Sequence, residues 1–146
     1  MTHHVVLDAD WFVVNKVRYF KAVSFFAPTL GVFGELTFSL PTGASKNRND
    51  LVVQAACSHG LDWRVPGNFR HDEVEKAFEF MHSRLQHSHL EYFAKGSEKC
   101  KLLESYLPTV TDLDTVGCPK FDTLSQLPRT TLQKALVFGQ WLEWSE

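Results

Sequence analysis

Hydrophobic positions in the first third of the chain follow the short alternation of strands rather than the three-to-four spacing of helices. Residues 5–14 are rich in β-branched and aromatic side chains. Asn15-Lys16 supplies a turn, and residues 18–27 alternate well enough for a second strand. Pro28 to Gly31 forms the next turn. Residues 32–40 then set Phe33, Leu36 and Phe38 among smaller or polar neighbours. Three strands joined by short turns predict an antiparallel meander.

The periodicity then changes. Residues 41–49 are polar and broken by Gly43 and Asn47, which predicts a loop. Asn49 or Asp50 is placed to cap a short helix over residues 51–58. Residues 60–70 read as irregular, with Pro66-Gly67 as a turn. Asp72 precedes a longer helix to about residue 86, with Val74, Ala77, Phe78, Met81 and Leu85 on one stripe. Residues 90–94 are short and apolar, like a buried strand. Cys100, Leu102, Leu103 and Tyr106 predict a helix over 97–107, stopped by Pro108. Residues 110–113 make a fifth strand and residues 121–126 a short helical turn. Pro128 lies near the start of a final helix, carrying Leu132, Ala135, Leu136, Gly139, Trp141 and Leu142.

The order β-β-β-α-α-β-α-β-α predicts an α/β fold with a mixed five-stranded sheet and helices on its faces. Right-handed crossovers would set the later strands parallel to the first. The 146 residues suit one domain, and 44% hydrophobic against 22% charged residues suits a packed core. A net charge of -2 excludes a bulk polyanion binder but not a local basic groove. Three cysteines (Cys57, Cys100 and Cys118) without a CxxC argue against a disulfide framework or a structural zinc site. The N-terminus lacks the features of a signal peptide, and no apolar run approaches the roughly 20 residues that span a bilayer. An intracellular protein, cytoplasmic or nuclear, is expected.

Candidate chemistry begins on the first strand, which reads Val-Val-Leu-Asp8-Ala-Asp10-Trp-Phe. Two residues apart on a strand, Asp8 and Asp10 share a face and could hold one Mg²⁺ or Mn²⁺. A two-metal nuclease needs several carboxylates converging on a metal pair. Glu98, Asp112, Asp114 and Asp122 are the acids available to join them. A solvated strand end is the plainer account of Asp8 and Asp10, and a strand terminus that of Asp112 and Asp114. His82, His87 and His89, with Cys57 and His59, raise a zinc site, but their spacing matches no usual pattern. Lys95, Lys99, Lys120 and Arg48 are loop or helix-start cations that would face a phosphate backbone if they converge. Trp11, Trp63, Trp141 and Trp144 suit base stacking or packing, and Cys118 reads as a packed thiol.

This element order, with acids at a central strand, resembles the ribonuclease H-like superfamily and most closely its DEDD exonucleases. Their first motif, Asp-x-Glu, corresponds to Asp8-Ala-Asp10, with Asp in place of Glu. Their second motif places an Asp entering a helix, where this chain has Glu98 or Lys99. Their third places a His or Tyr and then an Asp on the last helix, where residues 131–143 offer Gln133, Lys134 and Gln140. The stretches His59-Gly60-Leu61-Asp62-Trp63, Lys95-Gly96-Ser97-Glu98-Lys99 and Gly117-Cys118-Pro119 resemble exonuclease-like proteins of invertebrate genomes and their mobile or viral elements. The resemblance implies a nuclease-derived domain with a degenerate site that binds RNA or DNA. Two alternatives stand beside it. One is an active Mg²⁺- or Mn²⁺-dependent 3′–5′ exonuclease or endonuclease. The other is an interaction module, such as a homodimer built on aromatic strands or the Trp141/Trp144 helix.

Overall fold

The computed structural model describes residues 2–87 and 89–145. Its centre is a six-stranded mixed sheet in the order β4-β3-β2-β1-β5-β6. The meander is β1 (His3–Val14), β2 (Val17–Ala27) and β3 (Val32–Ser39), antiparallel in sequence. The turn from β1 to β2 puts Asn15 at φ 51° and Lys16 at φ 67°, the double left-handed conformation of a tight hairpin. β5 (Leu90–Ala94) pairs parallel with β1, and β6 (Val110–Asp112) pairs parallel with β5. The α/β architecture and the parallel setting of the later strands therefore match the sequence pattern.

The sheet has one strand more than expected. β4 (Phe69–Arg70) pairs parallel with Phe38 and Ser39 at the outer edge. It falls inside the stretch expected to be irregular, because two residues are too few to show a period. Side chains of β3 dock this segment. Ser39 Oγ accepts from Gly67 N at 2.9 Å, and Thr37 Oγ1 accepts from Asn68 N at 3.0 Å. A Cβ at Gly67 would lie 2.2 Å from Phe38 N, so the approach requires glycine.

The helices are α1 (Arg48–Cys57), α2 (Val74–Leu85), α3 (Ser97–Leu103), α4 (Phe121–Leu124) and α5 (Thr131–Trp144). α1 starts three residues earlier than expected, running directly out of a 3-10 segment at Thr42–Asn47. Asp50 therefore lies in its first turn instead of capping it. α3 ends at Leu103 and the chain continues to Leu107 in turns, with Leu107 N donating to Leu103 O. α5 is capped by Thr130, whose hydroxyl accepts from Gln133 N at 3.2 Å.

Strand alternation sorts the core. On one face of β1, Val5, Leu7 and Ala9 join Phe25, Leu36, Met81 and Leu103 beneath α2 and α3. The other face is divided. Val6 packs with Phe93, Phe138 and Leu142 under α5, whereas Phe12 and Val14 pack with Leu51 of α1. α5 lies close to β2, because a Cβ at Gly139 would come within 2.5 Å of Phe26 Cδ2.

Candidate functional site

Between those two apolar patches, on the same face of β1, lie Asp8 and Asp10. The parallel partner β5 reaches only as far as Leu7, paired with Ala94, so beyond that point β1 is paired with β2 alone and its other edge is free of a strand. Gln54 of α1 occupies part of that free edge. Its side-chain amide exchanges hydrogen bonds with Val13, accepting from N at 2.7 Å and donating to O at 2.8 Å. His59 does the same from the following loop. Its Nδ1 accepts from Leu61 N at 3.0 Å, which leaves Nε2 to donate to Trp11 O at 3.1 Å. The space left between α1, the start of α3 and the start of α5 is an open cleft of about 570 Å³. It lies beyond the carboxyl ends of parallel strands, where α/β sheets commonly bind ligands.

Asp8 is fully buried behind Lys99, which lines this cleft. Lys99, in the first turn of α3, donates to Asp8 Oδ1 at 2.5 Å. Asp8 Oδ2 is buried with no hydrogen-bond partner. Burial pushes the Asp8 carboxyl above its ordinary value, the Lys99 and Lys134 ammoniums pull it back, and Asp10 pushes it up again. Lys134 projects into the cleft from the first turn of α5. Its ammonium makes no hydrogen bond or salt bridge among the described residues. Burial lowers its pKa, partly countered by Asp8 and lowered further by the neighbouring Lys99. α5 is held at this end by a buried hydroxyl pair, Thr131 Oγ1 and Ser24 Oγ at 2.8 Å. Ser24 is the β2 residue opposite Asp8, so the contact fixes Lys134 near the acid.

The sequence-derived candidates separate into those the fold brings together and those it does not. Asp8, Asp10, Glu98 and Lys99 meet at the cleft. Glu98 at its rim is engaged by Arg18, 3.1 Å away. Asp112 is in register with Ala94, and Ala94 with Leu7, so it belongs to the sheet face opposite Asp8. Its Oδ1 accepts from Gly96 N and Asp114 N, both at 2.9 Å, which makes it a loop-tying residue. Lys95 pairs with Asp114 and Lys120 precedes α4, and neither lines the cleft. Arg48 lines a different cleft on the far side of α1.

The donor set does not fit a two-metal centre. One carboxylate is bound to a lysine, one acid is paired with Arg18, and one is on the wrong face. Among the described residues, no group of three or more His, Cys, Asp or Glu side chains is arranged to hold a metal ion. The histidines are used locally. His82 bonds Tyr92 Oη at 2.6 Å, and the rings of His3 and His87 are 4.6 Å apart. Cys118 is buried and its thiol is pushed up to about 11 by burial, in keeping with a packed thiol. Among the described residues, no helix is long and apolar enough to cross a membrane.

Sequence reasoning missed Lys134 and Arg129 as cleft residues. Arg129 lines the cleft and bonds Asp122 at 3.0 Å. The signal for Lys134 was its place on the last helix, where the resemblance called for an acid. No protein-family model matches this chain, and no curated protein is significantly similar to it.

Proposed function

We propose that this chain is a nuclease-derived, ribonuclease H-like domain that binds the phosphate backbone of RNA or DNA through a degenerate, lysine-filled site. The observation that carries the reading is Lys99 on the Asp8 carboxylate, with Lys134 facing the same acid from the last helix. Both lysines stand where the resemblance would place acids. The meander on one side of β1, the parallel strands on the other, and the acids on β1 just past the end of β5 further support the ancestry.

Two ammoniums now supply the positive charge that a cation would bring to Asp8 and Asp10. A lysine ammonium has three donors. Lys99 uses one on Asp8, and its remaining donors serve the cleft it lines. Lys134 spends none on the protein. With Arg129 at the rim, these groups suit a phosphodiester oxygen better than a neutral or cationic ligand. Partial burial weakens screening by salt and strengthens each contact.

Filter binding with single- and double-stranded RNA and DNA at low salt tests the reading. Retention of at least one of them is expected, and it should weaken in Lys134→Met. Failure to retain any would overturn the proposal. Labelled oligonucleotides with Mg²⁺ or Mn²⁺ are expected to stay intact. Cleavage that disappears in Asp8→Ala would replace the reading with an active metal-dependent nuclease.

A further inference from the structure

A second cleft, of about 660 Å³, opens on the other side of α1. Arg48, Val52 and Ala55 are spaced four and three residues apart and form the stripe that lines it. Gln54 and Cys57 form the stripe lining the first cleft, and buried Leu51 points into the core between the two. The following loop is shared in the same way. Ser58 and His59 face the first cleft, and residues 60–64 wall the second.

The chemistry of the second cleft is that of a ring bearing an anion. Trp63 is half-buried and packs on the cluster of Phe12, Val14 and Leu51, so its indole stands on a rigid base with a surface left in the cleft. Lys21 holds this loop in place. It is the extra residue where the register of β2 against β1 slips, and its buried ammonium donates to Phe38 O at 2.8 Å and to Val65 O. Arg64 is spent on Asp62, with contacts of 3.1 and 2.9 Å, so that pair neutralises itself. Arg48 is exposed at the rim and enters no ion pair among the described residues. An aliphatic ligand would not use the guanidinium, and a polycation would be repelled by it.

We infer that the second cleft is a nucleotide subsite, in which Trp63 stacks on a base and Arg48 contacts phosphate of a single strand whose backbone continues through the Lys99/Lys134 cleft. The inference rests on the backbone-binding reading above and adds to it the strandedness and the contact with a base. A base in a duplex is already stacked on both faces, whereas an unpaired base offers one to an aromatic platform. Trp63 is preformed by the core and the Lys21 clamp, so little ordering opposes stacking.

The test compares a labelled ten-nucleotide thymidine strand with an abasic strand of the same length, by fluorescence anisotropy at 0.1 M salt. Wild type should bind the base-bearing strand about tenfold more tightly. In Trp63→Leu, with its fold checked by circular dichroism, the preference should fall to about one, while affinity for the abasic strand is kept. Arg48→Ala should weaken both strands several-fold. Should Trp63→Leu not fold, Trp63→Phe keeps a ring in the core and should lose part of the fluorescence quenching that the strand causes in wild type. Equal affinity for the two strands in wild type, or a preference that survives in folded Trp63→Leu, would overturn the inference and leave lysine-dependent backbone binding standing. Undiminished quenching in Trp63→Phe would do the same. Absence of binding to either strand would overturn the inference, and the backbone-binding reading would fall with it only if filter binding also retained no RNA and no duplex.

Discussion

Lys134→Met separates what the cleft lysine does for binding from what it does for folding. Lys134 is half-buried, and burial is the leading cause of its lowered pKa, ahead of the help it receives from Asp8. The unfolded chain carries the same proton fully solvated, up to the ordinary value of 10.5. At neutral pH the charge therefore works against the folded state. Met keeps an apolar stem of similar length and removes the charge. Asp8 loses a favourable neighbour in exchange, which offsets part of the gain. The variant should melt at the same temperature as wild type at pH 7, or a few degrees higher. Any advantage should vanish as pH rises through the lowered pKa towards 10.5, because only the unfolded chain still holds the proton there. Binding should move the other way. Each phosphate contact to a single strand contributes a slope of about 0.7 to log affinity against log salt. Losing one contact thus costs about fivefold in affinity at 0.1 M salt and about eightfold at 0.05 M. Anisotropy titrations of one oligonucleotide at several salt concentrations would read both quantities. Parallel lines of equal slope would refute the placement of Lys134 against the backbone. A melting temperature lowered by more than about 5 °C would refute the burial argument.

Three further outcomes follow from the same geometry. The raised Asp8 pKa means that its proton favours the fold below the ordinary 3.8, a contribution lost as pH rises through the raised value. Thermal denaturation from pH 4 to 8 should therefore show Asp8→Asn gaining on wild type as pH rises, and a difference independent of pH would contradict this. Gly139→Ala sets a methyl group 2.5 Å from Phe26 Cδ2 and should cost about 1–3 kcal/mol in urea unfolding. It should also weaken oligonucleotide binding, because α5 carries Lys134. Lys16→Gly relieves a left-handed residue at φ 67° in the first hairpin and should raise stability by about 0.5–1 kcal/mol, read from the urea midpoint.

Most of the fold was legible because its elements carry strong periods. The stripe Val74, Ala77, Phe78, Met81 and Leu85 is the buried face of α2, and all five residues are buried. β4 was not legible, since its two residues are held by Ser39, Thr37 and the glycine contact at Gly67, which are tertiary features. The site was legible on β1, where spacing alone puts Asp8 and Asp10 on one face, and at the start of α3, where Glu98 and Lys99 reach the same cleft. Asp112 was misplaced because a strand's face depends on its register with its neighbours, and the link from Asp112 through Ala94 to Leu7 is a property of the sheet. Lys134 was hidden for a different reason. A lone lysine on a helix is usually solvated, and only the packing of Thr131 on Ser24 turns this one inward.

The pattern along one face of β1 gives the polar gap its significance. Val6 and Phe12 at either side are buried in separate apolar clusters, each under its own helix. An apolar residue at position 8 would join those clusters and avoid the desolvation of a carboxylate. Instead the chain keeps a buried Asp8, leaves one of its oxygens unpartnered, and brings Lys99 and Lys134 to it from two different helices. Each of those choices works against stability in the isolated protein. The two lysines balance Asp8 and Asp10 in number, so the site is neutralised by the chain itself. Lys99 is nevertheless shared between an acid beneath and a cleft above, and Lys134 has no protein partner within hydrogen-bonding distance. A pair built only to hold the fold would bury both partners with every donor satisfied. Ammonium donors left facing an open cleft are instead what an incoming phosphate oxygen would complete.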